Sequence, residues 1–177
     1  MKTEYEIRVL DINKEEMIEM LEKIGAIRVG EYYQKRYIYD LKPAEDNKWI
    51  RLRTDGYKTT LTYKCIEENT IDGTKEIELE VSSIDQAKEF MNSIGFKYRN
   101  YQENKRTKYI YDGIEIDFDL WPKIPEYMEI EGESEEQVNS MIEKLHIDKS
   151  KVTALNCDDI YRQIYNIDIK TIRELKF

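Results

Sequence analysis

The stretch Glu4-Tyr5-Glu6-Ile7-Arg8 decides how this chain is read. Charge falls on every second position, with an apolar or aromatic residue between. An extended strand turns alternate side chains to opposite faces, so Glu4, Glu6 and Arg8 share one face while Tyr5, Ile7 and Val9 share the other. The same spacing recurs in Trp49-Ile50-Arg51-Leu52-Arg53, Glu76-Ile77-Glu78-Leu79-Glu80, Ile116-Asp117-Phe118-Asp119-Leu120 and Met128-Glu129-Ile130-Glu131. One such strand is the ordinary half-buried kind with a wetted face. Five of them, beside amphipathic helical stretches that need a sheet to cover, predict an α+β fold with helices on the apolar face. The charged faces then look either at water from an open sheet or into a closed barrel, and a closed barrel of this size holds a polar, ligand-binding interior.

The helices announce their own ends. Asn13 is placed to cap a helix running to about Ile24, with Met17, Met20, Leu21 and Ile24 as its apolar stripe and Gly25 at its end. Ser83 with Gln86 opens a second helix that stops at Gly95, and Ser134 with Gln137 opens a third. Past the first two helix ends the chain repeats itself: Ile24-Gly25-Ala26 leads to Lys35-Arg36-Tyr37-Ile38-Tyr39-Asp40, and Ile94-Gly95-Phe96 leads to Lys105-Arg106-Thr107-Lys108-Tyr109-Ile110-Tyr111-Asp112. Two copies of a strand–helix–strand–strand unit can close about a pseudo-two-fold axis into an eight-stranded antiparallel barrel with helices packed outside. Leu41–Lys48, with Pro43, reads as a loop between strands, and Asp55-Gly56, Asp72-Gly73 and Asp112-Gly113 read as turns. Trp121-Pro122-Lys123-Ile124-Pro125 is a stiffened connection. The tail from Ile160 to Tyr165 has helical spacing, suited to closing one barrel mouth.

No Pro-, Gly- or Ser-rich linker divides the 177 residues, so residues 1–177 read as a single domain. The net charge of −9 argues against a nucleic-acid or anionic-membrane partner, and any anion must be held locally. Fourteen tyrosines carry too much apolar surface for a disordered acidic chain. No apolar leader or bilayer-length run is present, which predicts a cytoplasmic protein. Cys65 and Cys157 lack zinc-ligand spacing, and His146 is the only histidine, so His-based acid–base chemistry and His-ligated metals lose their support. Association as a homodimer is left open.

With seven scattered glycines there is neither a P-loop nor a dinucleotide fingerprint, so phosphate binding must come from side chains. Arg51, Arg53, Lys64 and Arg106, joined by Arg8, are suited to several phosphate groups, arginine by paired hydrogen bonds and lysine as a point charge. Glu4, Glu6, Asp119, Glu129 and Glu131 form an all-oxygen set that suits Mg2+ or Mn2+.

This constellation resembles the CYTH family of triphosphate tunnel metalloenzymes, which includes class IV adenylate cyclases, thiamine triphosphatases and inorganic triphosphatases. Glu4-Tyr5-Glu6-Ile7-Arg8 matches the family's Glu-x-Glu-x-Lys signature except at its last position, and Arg51-Leu52-Arg53 matches its Arg-x-Arg. Lys64 resembles the phosphate-binding lysine that follows, Glu78 and Glu80 the central acidic pair, and Asp119 with Glu129-Ile130-Glu131 the closing acidic elements. Where the family often has Lys-x-Arg, this chain has Asn104-Lys105-Arg106; Arg106 carries over, Asn104 departs, and Lys105 has the opposite strand parity.

The resemblance implies a tunnel that binds a small-molecule triphosphate with a divalent metal and cleaves a phosphoanhydride bond. Arg8, Arg51, Arg53, Lys64, Glu78, Glu80 and Arg106 would meet the substrate, with Arg8, Lys64 and Arg106 also serving catalysis by neutralising charge. Glu4, Glu6, Asp119, Glu129 and Glu131 would hold the metal. Three outcomes stay open: hydrolysis of an inorganic or organic triphosphate, cyclisation of ATP to cyclic AMP and pyrophosphate, and binding of triphosphate or polyphosphate without turnover. Arginine keeps its proton, so Arg8 is able to hold phosphate or pair with a glutamate but not to act as a general base.

Overall fold

The computed structural model covers residues 1–177. Eight strands carry the fold: β1 (Lys2–Val9), β2 (Ile27–Glu45), β3 (Lys48–Thr54), β4 (Thr59–Ile66), β5 (Thr74–Glu80), β6 (Asn100–Tyr111), β7 (Ile114–Leu120) and β8 (Tyr127–Gly132). Their order is β6-β2-β3-β4-β5-β1-β8-β7, every neighbouring pair is antiparallel, and pairing of β7 with β6 closes the ring. The closed barrel forms, and the open-sheet alternative falls away.

The repeat is visible in the pairing itself. Strands β1 to β4 correspond to β5 to β8. Each of the pairs β2–β3, β3–β4 and β4–β5 has its counterpart in β6–β7, β7–β8 and β8–β1, while β1–β5 and β2–β6 pair across the pseudo-two-fold axis. Turn chemistry fixes the registers. Asp55 accepts from the backbone N–H groups of Tyr57 and Lys58 at 2.9 and 2.8 Å, setting the β3–β4 turn. Asp112 and Gly113 both have positive φ, 49° and 79°, as the tight β6–β7 hairpin requires.

Three helices, α1 (Lys14–Lys23), α2 (Ile84–Ser93) and α3 (Glu135–Lys144), lie outside the barrel. Their N-caps are the expected ones: Asn13, Ser83 and Ser134 accept from the backbone N–H groups of Glu16, Gln86 and Gln137. Leu21 of α1 and Val138, Met141, Ile142 and Leu145 around α3 pack on Ile7, Val9, Ile116, Phe118, Met128 and Ile130 of β1, β7 and β8. Full burial of each such side chain contributes roughly 1.5–3 kcal/mol, so the parity that puts Ile7 outside also forces Glu6 and Arg8 inside. Helix α2 sets Met91 against Tyr39 and Leu52.

Two expectations change. The loop expected over Leu41–Lys48 is largely strand, since β2 runs to Glu45; Pro43 falls where the β2–β3 register is irregular, between Asp40 and Glu45, and no ladder hydrogen bond is asked of it. The tail is helical where its spacing predicts, but it starts earlier and its main turn is π rather than α. A single turn, α4 (Cys157–Asp159), runs into a π-helical turn at Ile160–Ile164, and Ile160, Tyr161, Ile169 and Leu175 pack on Trp121, Ile124 and Tyr127. Two short strands, β9 (Val152–Thr153) and β10 (Glu174–Leu175), tie this segment to β1 and β6. It closes one end of the barrel, as its spacing suggested.

Candidate active site

The inward faces of all eight strands line a tunnel with a cavity of about 420 Å³. Strand parity delivers Glu4, Glu6, Arg8, Arg51, Arg53, Lys64, Glu78, Arg106, Asp119, Glu129 and Glu131 to its wall. Glu80 is the exception among the expected residues. β1 begins at Lys2 opposite Glu76, so β5 continues beyond its partner, and Glu80 stands at the rim, 70% exposed, facing Lys58 at 3.6 Å. Lys105 points outward over the Phe177 ring, in keeping with its parity.

One part of the wall is acidic and already neutralised. Arg8 reaches Glu6 at 2.6 Å and Glu129 at 2.8 Å, and also donates to the Leu155 carbonyl. Arg106 faces three carboxylates, Asp117 at 2.6 Å, Asp119 at 2.5 Å and Glu129 at 2.9 Å. Burial lowers both guanidinium pKa values, but their glutamate and aspartate neighbours outweigh it and hold both well above the usual value. Burial resists ionisation of Glu129, but Arg8, Arg106 and Lys64 outweigh it and pull its carboxyl well below the usual range. Asp117 shares one arginine with two other acids, and burial pushes it up to about 7. Lys64 lies between Glu4 at 2.7 Å and Glu76 at 3.5 Å.

The opposite wall, on β2 and β3, is basic and poorly compensated. Arg53 comes no closer to a carboxylate than 3.7 Å, to Glu78, and Arg51 no closer than 3.5 Å, to the same group. Burial first, then Arg51, Arg36 and Arg106, pushes the Arg53 guanidinium down to about 9. The Nε atoms of Arg36 and Arg51 are buried without a hydrogen-bond partner. A buried guanidinium stays charged at neutral pH, so this wall stores repulsion that an anion in the tunnel would relieve.

Arg36 was not among the expected site residues. It is 7% exposed and lines the tunnel, stacked on Trp121 with Cζ 4.5 Å from the ring centroid. The signal was present in the repeat, where Lys35-Arg36 stands in the place of Lys105-Arg106. Trp121, Tyr127, Asn156, Cys157 and Asp158 also line the tunnel at the end closed by the tail.

The acidic donors fit a divalent cation by charge and chemistry. No three carboxylates converge on one point, because Arg8 and Arg106 stand among them. Glu131, however, meets only Lys2, at 3.7 Å, and burial followed by repulsion from Glu4, Glu129, Glu6 and Glu115 raises its carboxyl to about 7. An oxygen-rich spot with unbalanced negative charge suits a hard ion; Glu131 is its least engaged donor, and Glu4 and Glu6 join it only by sharing carboxylates that already meet Lys64 at 2.7 Å and Arg8 at 2.6 Å. Asp119 is committed to Arg106 and Asn104, and Glu129 to two arginines.

Solved structures share this architecture. The PH1012 protein of Pyrococcus horikoshii OT3 is 22% identical, with a TM-score of 0.74 over 86% of this chain and 96% of that one. A candidate adenylate cyclase of Vibrio parahaemolyticus is 13% identical, with a TM-score of 0.76 over 94% of this chain and 99% of that one. The candidate adenylyl cyclase of Hippeastrum, described as having a dominant triphosphatase activity, is 15% identical, with a TM-score of 0.58 over 92% of this chain and 96% of that one. No curated protein matches the sequence. At these identities the likenesses are of fold. The sequence itself matches the model of the CYTH domain over residues 2–164, and with the tunnel and its charged strands in place the chain belongs to the CYTH family.

Proposed function

We propose that the tunnel binds a triphosphate, inorganic or carried by an organic group, and hydrolyses one of its phosphoanhydride bonds with the help of Mg2+ or Mn2+. The observation that carries this reading is the basic wall: Arg51 and Arg53 face the cavity with no carboxylate closer than 3.5 Å. Such a wall is costly in an empty tunnel and favourable around a multivalent anion.

In this reading Arg51 and Arg53 hold non-bridging phosphate oxygens and align the chain of phosphates along the wall. Lys64 and Arg106 neutralise charge that gathers on the transferred phosphoryl group, which is where most catalysis of this kind lies. Glu4, Glu6 and Glu131 would hold the divalent ion, which supplies a Lewis acid for phosphate oxygens and the leaving group. Arg8, set between Glu6 and Glu129, holds both carboxylates in position and takes no proton.

Binding without turnover is favoured by one observation. Position 8 lies between two carboxylates rather than among cations, and no neutral base is held there. The deciding experiment incubates purified protein with Mg2+ or Mn2+ and, in turn, tripolyphosphate, ATP and thiamine triphosphate, and identifies every product. Orthophosphate with the shortened chain is expected. Cyclic AMP and pyrophosphate from ATP would replace hydrolysis by cyclisation, and tight binding with no product would leave a triphosphate receptor.

A further inference from the structure

Arg36 and Arg106 occupy equivalent places in the two halves of the barrel, and their surroundings are opposite. Directly across from Arg106 on the neighbouring strand stands Asp119, which takes the Arg106 Nε–H at 2.8 Å. Directly across from Arg36 stands Arg53. No carboxylate lies within ion-pair distance of Arg36, and its Nε has no partner. Its Nη2 donates to Gln34 Oε1 at 2.6 Å and to the Asn104 amide oxygen, both neutral. Asn104 in turn donates to Asp119 at 2.9 Å and so holds the two arginines in one frame. The indole Nε1 of Trp121, under the Arg36 guanidinium, is likewise buried and unpartnered.

We propose that Arg36 is an anion-binding residue at the closed end of the tunnel, where a phosphoryl group takes the place that the Asp119 carboxylate takes at Arg106. The inference rests on the triphosphate reading of the tunnel and deepens it. Arg36 and Trp121 offer buried N–H donors beside α4, at the end sealed by the tail. A terminal phosphoryl group fits there. An organic group, if the substrate has one, then points to the open mouth by Lys58 and Glu80. Asn104, which carries no charge on β6, serves as the acceptor that orients Arg36, so the cation of this level comes from β2 instead. Burial, then Arg51, lowers the Arg36 guanidinium to about 10, the cost expected of a cation whose counter-ion is a ligand.

The test uses the full chain and three proteins: the parent, Arg36→Gln, and Arg36→Gln combined with Asn104→Lys. Tripolyphosphate affinity is measured by calorimetry, and thermal unfolding is followed with and without tripolyphosphate. Arg36→Gln is expected to weaken binding by ~10- to 100-fold, the range for one charged hydrogen-bonding group. Its ligand-free midpoint should not fall, because a buried cation without a counter-ion has been removed. The double variant should regain at least half of the lost binding free energy, since a lysine at 104 returns a cation to the same level from the neighbouring strand. A lowered midpoint with affinity unchanged would assign Arg36 a packing role and overturn the proposal. Should Arg36→Gln lose both midpoint and affinity, the double variant decides: recovery of affinity supports the anion site and no recovery overturns it. A parent that does not bind tripolyphosphate would instead remove the triphosphate reading, and this inference with it.

Discussion

The two halves of the barrel are one scaffold carrying opposite charge. Through the strand registers, Arg51 and Arg53 of β3 occupy the places of Asp117 and Asp119 of β7, and Lys64 of β4 the place of Glu131 of β8. Arg36 and Arg106 are the same residue in both halves, yet one faces arginines and the other aspartates. The comparison separates two uses of arginine that composition cannot distinguish. In the ligand-free chain Arg8 and Arg106 are taken up by the protein's own carboxylates at 2.5–2.9 Å, whereas Arg51 and Arg53 have none closer than 3.5 Å and Arg36 has none within ion-pair distance.

The comparison is broken most severely by removing the basic wall. Arg51→Ala with Arg53→Ala is expected to reduce tripolyphosphate affinity by ~10²- to 10⁴-fold, from two lost charged hydrogen-bonding groups, with the fold retained. Calorimetry on the folded variant measures it, and parental affinity would refute the wall as the phosphate clamp.

The equivalent change in the other half should act on stability. Arg106→Gln leaves Asp117, Asp119 and Glu129 buried with their shared cation gone, at a cost of about 3–5 kcal/mol. Arg53→Gln should cost nothing in the ligand-free protein. Urea unfolding of the two variants side by side checks this asymmetry, and equal losses would mean that the two walls are not energetically distinct.

A smaller effect belongs to Glu131. Its carboxyl ionises at about 7 in the fold, above the usual carboxylate value of 4.5, so the folded chain binds more protons than the unfolded one between those limits. Stability therefore declines as pH rises from about 4.5 to about 7, by on the order of 2 kcal/mol once partial exposure is allowed for. Glu131→Gln should flatten that decline, and millimolar Mg2+ should flatten it in the parent. A decline untouched by both would place the repulsion elsewhere. In turnover assays, the same variant should need more added metal than the parent.

The smallest expected effect is at Arg8. A lysine placed between Glu6 and Glu129 would be held protonated by them, so Arg8→Lys should change hydrolysis by less than ~3-fold at neutral pH. A gain of tenfold or more in steady-state hydrolysis of tripolyphosphate would show that position 8 works as a base.

Much of this was legible in the residues because strand parity is a strong constraint. With Ile7 or Ile130 committed to a helix-covered face, the charges beside them have only the interior to occupy. Asn13, Ser83 and Ser134 fixed the helix starts for equally local reasons. Parity, however, tells which face a residue takes and not how deep along the barrel it lies, so Glu80 reads like Glu78 although it stands at the rim. Arg36 was hidden by its neighbour. Lys35-Arg36 puts charge on two successive positions, and only the repeat with Lys105-Arg106 marks Arg36 in the sequence as the inward one, which the pairing of β2 with β3 and β6 bears out. The pairing of Arg8 with Glu129 was equally out of reach, since it joins residues 121 positions apart.

That last distance has a consequence in time. Strands β2 to β4 zip through short turns, but β1 must find β8 across most of the chain before the ring can close. Contacts so remote in sequence form late, on the millisecond-to-second scale typical of non-local β topologies. The β2–β3–β4 and β6–β7–β8 meanders each close through short turns, so the arginines of one and the carboxylates of the other come to share a cavity only when β2 pairs with β6 and β1 with β8.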